Sequence, residues 1–325
     1  MNLEKIKISY WGSPFISAKF LETLLQDGSF EISFVVTQPD KPRSKRGREV
    51  LPCAVKKLAD KNSIPVYSPV SLKKNTPDLL EEFNKHDVLF HVVFAYGKLI
   101  PEAIFNAPLL KTLNFHASLL PLLRGAAPIE YALLEGHRKT GWSIQAIVEK
   151  MDAGDVFYQN EIEVSVNETK NSLTEKMLES LVSFGPDILK KYAAGKLNSR
   201  KQDEEKATYC GKIKTEAGKI DFSKTHIEIR NQYRAFGENP GLYSYFNGKK
   251  IKIDFDLISL SKKLSDQEKE MKSGRVFLIE KEKTYILCGD GFALPAVLFQ
   301  PEGKRKMSAV DFVNGYRLKE GDYFG

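Results

Sequence analysis

Cysteine is scarce in this chain: Cys53, Cys210 and Cys288 among 325 residues, with no short spacing between any two. That excludes a disulfide framework and a zinc knuckle, and it fits a reducing compartment. Histidine is nearly as sparse. His86, His137 and His226 lack partners at metal-ligand spacing, and no metal is expected. His91 lies inside an apolar run, so packing in the core is its expected role. No apolar run is long enough to span a bilayer, no signal peptide is expected before the first strand, and no internal repeat is present. A cytoplasmic protein is the expectation. Gly12-Ser13-Pro14 lacks the glycines that a dinucleotide fingerprint requires.

Charge of one sign is also limited. The net charge is +7, modest for a nucleic-acid binder, so its placement matters more than its size. From Ala207 onward, 21 basic residues face 16 acidic ones, so most of the excess lies in the C-terminal part. The densest cluster is Lys41-Pro42-Arg43-Ser44-Lys45-Arg46-Gly47-Arg48, with five basic residues and no acid. Alone, such a run reads more readily as a solvated loop than as a binding site.

Apolar runs at Ile6–Tyr10, Ile32–Thr37, Val88–Phe94 and Leu113–His116 alternate with helical spacing at Ala18–Leu25 and with helices opened by Pro52 and by Thr76-Pro77. Continuous apolar strands between helices specify a Rossmann-like parallel α/β sheet covered on both faces. Trp142–Glu149 and Val156–Val166 read as a strand pair around an Asp152–Asp155 turn. Ser172–Tyr192 reads as a helix broken at Gly185-Pro186. The polar stretch around Lys196–Lys206 reads as a linker, giving domains 1–195 and 211–325 with 196–210 between them. The second domain has short alternating strands, a helix at Ile227–Ala235 and an Asn247-Gly248 hairpin signal. A small OB-like β-barrel is expected there.

Ligands of parallel sheets sit beyond the carboxyl ends of the strands. Asn114 and His116, two apart on a strand, share a face there while Phe115 turns away. A carboxamide and an imidazole side by side can stabilise an oxygen that gains negative charge, which is the equipment of acyl transfer. Asp152, at another strand-to-turn junction, supplies a carboxylate that can orient the ring. Polar residues at strand ends are often only loop caps, so the pair alone does not define a site.

The wider pattern settles the choice. Asn114-x-His116-x-Ser118-Leu119-Leu120-Pro121, followed by Arg124-Gly125-Ala126-Ala127-Pro128-Ile129, resembles the folate-dependent formyltransferases. Thr37-Gln38-Pro39-Asp40, Ala95-Tyr96-Gly97-Lys98-Leu99-Ile100-Pro101 and Leu298–Lys304 with Met307-Ser308 extend the likeness over nearly the whole chain. The resemblance implies formyl transfer from 10-formyltetrahydrofolate to the α-amino group of initiator methionyl-tRNA. It implies catalysis by Asn114, His116 and Asp152, with the cofactor held at Ser118, Leu119, Leu120, Pro121, Ala95, Tyr96 and Gly97. It also implies tRNA contacts at Lys41, Arg43, Lys45, Arg46 and Arg48, and at Lys212 and Lys214. A monomer is expected. Two departures stand out: Ala153 replaces the family's usual threonine, and Trp11-Gly12-Ser13-Pro14 replaces its early Gly-Thr-Pro.

Three rivals remain. An amino-sugar nucleotide N-formyltransferase would use the same trio, but the basic loop and the positive second domain argue against it. In a formyltetrahydrofolate hydrolase, water replaces the amine; such enzymes carry a regulatory domain first. A non-catalytic RNA-binding module has no use for the trio.

Overall fold

The computed structural model describes residues 5–42, 50–259, 261–264 and 271–325. The chain forms two compact units. One comprises Met1–Gly125, Thr140–Ile162 and Thr174–Tyr209; the other comprises Ala126–Lys139, Glu163–Leu173 and Cys210–Gly325.

The first unit is built on a seven-stranded sheet. Ile6–Trp11 is an interior strand, parallel to Phe30–Val36 on one side and to Phe90–Phe94 on the other. Val66–Tyr67 extends one edge in parallel, and Leu113–His116 continues the other. The sheet then changes character: Lys139–Ala146 runs antiparallel to Leu113–His116, and Val156–Glu163 closes that edge. The expected parallel sheet is therefore mixed, its antiparallel part built by the strand pair around Asp152.

Both faces are covered, as the continuous apolar strands require. On one face Phe20, from the helix Phe15–Gln26, meets Phe94 and Phe115 edge-on at 6.1 and 5.0 Å. On the other, Trp11 packs against Phe83 of the helix Thr76–Asn84 and against His91 and Tyr96. Each such ring, fully buried, contributes about 1.5–3 kcal/mol. The helix Lys170–Ala193 runs through Pro186 without the expected break. Gly185 has a packing role instead: a Cβ there would lie 2.7 Å from the Phe20 ring.

The stretch expected to be a linker joins the first unit as far as Tyr209. Its polar side chains are engaged in specific hydrogen bonds, which composition does not reveal.

In the second unit the strands follow the order Tyr243–Phe246, Lys249–Phe255, Phe292–Pro301, Lys283–Leu287, Val276–Glu280, with the pairs antiparallel. Among the described residues this path does not close into the expected barrel. The C-terminal tail bonds both edge strands instead: Val276 N donates to Asp322 O at 2.8 Å, and Gly325 N to Tyr245 O at 3.0 Å. The hairpin at Asn247-Gly248 forms as expected, with both residues at positive φ. Thr225 and Glu228 make a reciprocal capping box at the start of the helix His226–Phe236.

Candidate active site

The strand Leu113–His116 ends at the carboxyl edge of the parallel sheet. Its antiparallel neighbour places Gln145 opposite Asn114, and Ser143 opposite His116. Directly paired residues share a face. Asn114, His116, Ser143 and Gln145 thus form a polar patch, while Phe115 packs on the other side against Phe20 and Trp142.

His116 is buried, and its Nε2 lies 2.9 Å from the Leu123 carbonyl. A carbonyl only accepts, so Nε2 carries a proton. Nδ1 therefore faces Asp152 Oδ2 at 3.6 Å, within ion-pair range but beyond a direct hydrogen bond. Leu123, with φ at +56°, aims its carbonyl at the ring. Orientation of the imidazole comes first from this loop and only second from the carboxylate. The Asn114 carboxamide makes no hydrogen bond to any described residue and remains available as a donor.

Asp152 sits at φ +50°, in the left-handed region that a non-glycine residue enters at a cost. Three hydrogen bonds hold it, and a tight backbone approach follows. The Gly125 amide donates to Oδ2 at 2.9 Å, and Gln145 Nε2 donates to Oδ1 at 2.9 Å. Its backbone oxygen accepts from Gln202 at 2.8 Å. Two residues on, Gly154 lies so close to Ala146 that a Cβ would sit 1.8 Å from the Ala146 oxygen.

The Ser118–Pro121 loop is pinned in turn. Ser143 Oγ donates to Ser118 O at 2.6 Å and accepts from Leu120 N at 3.0 Å, while Gln159 Nε2 donates to Leu120 O at 2.8 Å. Ala95 and Gly97 both have positive φ, carrying the chain sharply over the sheet edge. Tyr96 turns its ring into the core, where burial pushes the phenol up to about 12. Only its backbone can meet a ligand, and its carbonyl already accepts from Gln38 Nε2 at 2.7 Å. A cavity of about 420 Å³ opens beside Ala95, lined by Ser13, Gln38, Asp40 and Cys53. Asn114, His116 and Asp152 do not line it.

Of the expected tRNA contacts, Arg43, Lys45, Arg46 and Arg48 lie outside the described residues. The backbone of Lys41 belongs to the short strand Lys41–Pro42, paired with Val50–Leu51. Lys212 and Lys214 are exposed on irregular chain before the turn Thr215–Gly218. The second unit also holds a larger cavity, about 940 Å³. Charged groups along it are already engaged: Lys252 with the Pro240 carbonyl, and Lys306 with Asp254.

Sequence reasoning did not single out Gln145, Gln202 or Glu204, nor assign Arg124 a role. Gln145 left a signal, since polar residues at 143 and 145 alternate with the apolar Trp142, Ile144 and Ala146. Arg124 is fully buried, and all five of its N–H groups donate: to Gln202, bidentately to Glu204, and to the Tyr209 hydroxyl. Arg124, with help from Lys150, pulls the Glu204 carboxyl down to about 2. Nothing in the local sequence pairs these residues, which lie about eighty positions apart.

Comparisons with known proteins agree along the whole chain. Residues 7–189 match the formyl transferase family and residues 212–317 match the formyl transferase C-terminal domain. The chain is 38% identical over 322 residues to a methionyl-tRNA formyltransferase of Leptospira interrogans, covering 98% of this chain and 100% of that one. It is 36% identical to the enzyme of the same name from Bacillus subtilis, covering 98% of each. Among solved structures, an N-formyltransferase from Helicobacter canadensis superposes with a TM-score of 0.63 at 20% identity, covering 92% of this chain and 100% of that one.

Proposed function

The chain belongs to the formyl transferase family, and on that premise we propose that it moves the formyl group of 10-formyltetrahydrofolate to the α-amino group of initiator methionyl-tRNA, as a cytoplasmic monomer. The observation that carries this reading is the unengaged Asn114 carboxamide beside His116 and Asp152 at the sheet's carboxyl edge. Likeness over full length to methionyl-tRNA formyltransferases supports the choice of acceptor. Catalysis belongs in this reading to residues 1–195, and tRNA docking to residues 211–325 together with the basic segment Lys41–Arg48.

The folate supplies an activated formyl group, and the loops Ser118–Pro121 and Ala95–Gly97 hold it. The α-amine, with a pKa of about 7.7–8, keeps roughly a tenth to a sixth of its molecules neutral near pH 7. It attacks the formyl carbon, a C–N bond forms, and the carbonyl oxygen takes the electron pair. Asn114 donates to that oxygen, and the His116 imidazole, oriented by Leu123 and Asp152, adds to its stabilisation. Asp152 receives the proton leaving the attacking nitrogen, directly or through water. Collapse breaks the bond to N10 of the folate, and N10 takes the proton that Asp152 received as tetrahydrofolate leaves. Each oxyanion donor of this kind lowers the barrier by about 2.7–4 kcal/mol.

The test is incubation with methionyl-initiator tRNA and formyl donor, an amino-sugar nucleotide as competitor, and mass analysis of both amines. Formylation of the aminoacyl end is expected. With Asn114→Ala, kcat falls about 10²–10³-fold while tRNA binding holds. Replacing Arg46 with alanine weakens tRNA use and lowers the salt slope by about one, with the folate KM unchanged. Formylation of the sugar amine alone overturns the proposal.

A further inference from the structure

Residues 190–211 fall between the two segments matched to the family, yet they supply the main support of the Asp152 turn. Gln202 is the key contact. Its Nε2 donates to the Gly154 carbonyl at 2.7 Å, to the Asp152 carbonyl at 2.8 Å and to Gln145 Oε1 at 3.2 Å. Its Oε1 accepts from Arg124 Nε and Nη2 at 3.1 and 2.9 Å. The amide has one possible orientation, because Arg124 offers only donors and the two carbonyls only acceptors. Gln145 is fixed for the same reason: its oxygen meets Gln202 and its nitrogen meets Asp152 Oδ1. The donors therefore run in one direction, from the buried guanidinium through two amides to the carboxylate. Glu204 holds the far end bidentately on Arg124. Each amide presents its positive end toward Asp152, and aligned donors strengthen one another in a site of low dielectric.

We propose that Gln202 is a positioning residue for formyl transfer: its side-chain amide, set by Arg124, clamps the left-handed Asp152 turn and aligns Gln145, and so fixes the carboxylate against His116. This rests on the role given to Asp152 above. Gln202 touches no reacting atom in this scheme. It makes the geometry of one that does independent of the cost of the turn.

The experiment uses the full chain and steady-state kinetics with folate donor and methionyl-tRNA. Gln202→Ala removes the clamp. Gln202→Glu keeps the size and the Arg124 contact but turns an oxygen toward two carbonyls. Both should lower kcat about 10–100-fold, with each KM within about twofold of the parent. Thr76→Ala is the control, because the Thr76 hydroxyl also holds a backbone carbonyl, that of Leu72 at 2.8 Å, at a helix start the site does not use. It should lower the melting temperature and leave kcat unchanged. Asp152→Asn tests the underlying reading. Full kcat in Asp152→Asn would remove the premise. A crippled Asp152→Asn beside Gln202 variants of full kcat would overturn the inference alone, as would an equal loss of kcat in Thr76→Ala. Where Gln202→Ala gives no cooperative melt, Gln202→Glu decides.

Discussion

Replacing Gly154 with alanine tests whether the position of the Asp152 turn sets the rate. An added Cβ would lie 1.8 Å from the Ala146 oxygen and 2.8 Å from its carbonyl carbon, whereas real Cβ contacts essentially never fall below 3.0 Å. Both neighbours are backbone, so no rotamer change relieves the clash. Separation is resisted as well: Ala146 N donates to Asp155 O at 2.9 Å, and Gln202 holds Gly154 O. The two backbones must part by roughly 1 Å, at a cost of about 1–3 kcal/mol for overpacking. Asp152 is two residues away and moves with them. A displacement of that size at a reacting group lowers a rate by about 10²-fold. Gly28→Ala serves as the control. Gly28 has φ +72° with nothing within 4 Å of a Cβ, so alanine there costs about 1–2 kcal/mol through backbone strain alone. Steady-state kinetics and thermal melts of both variants separate the two effects. Gly154→Ala should lose kcat and stability together, and Gly28→Ala stability only. A folded Gly154→Ala with native kcat would refute the argument that this turn must be held within an ångström.

Two further outcomes concern stability. Burial holds the His91 imidazole down at about 3, against a smaller opposing pull from the Ile104 carbonyl. Trp11 Nε1 donates to Ser9 Oγ at 2.8 Å, which leaves the hydroxyl hydrogen for His91 Nδ1 at 2.6 Å, so the ring is an acceptor there and stays neutral. Between about 3 and the ordinary 6.5 the unfolded chain binds a proton that the folded chain refuses. This contribution is therefore present above 6.5 and lost as pH falls through that window, with a limiting slope of about 1.4 kcal/mol per pH unit. Urea unfolding from pH 4 to 7 should show a shallower pH dependence for His91→Gln; parallel curves would contradict it. In the second unit, Thr225→Ala removes the acceptor for Glu228 N and half of the capping box, and should cost about 1 kcal/mol in denaturant melts. A loss within error would mean that the helix start is held by the Asp290 contact to His226 N instead.

Hydrophobic period and strand ends were enough to specify the covered α/β sheet, the face shared by Asn114 and His116, and the Asn247-Gly248 turn. These features depend on neighbours within a few residues, where backbone geometry maps residue number directly onto direction in space. The motif around Asn114 added the family, because its residue types recur at a fixed local spacing. Other features were set by contacts distant in sequence. Pro186 stays within its helix, where neighbouring Gly185 leaves room for Phe20. The polar stretch near Gln202 folds onto the Asp152 turn because a buried guanidinium must satisfy five donors. His116 is held by Leu123 more closely than by Asp152. Each of these outcomes turns on which polar group reaches which partner once the chain is packed. Burial makes an unmet donor or acceptor expensive, and only the assembled structure decides how that demand is met.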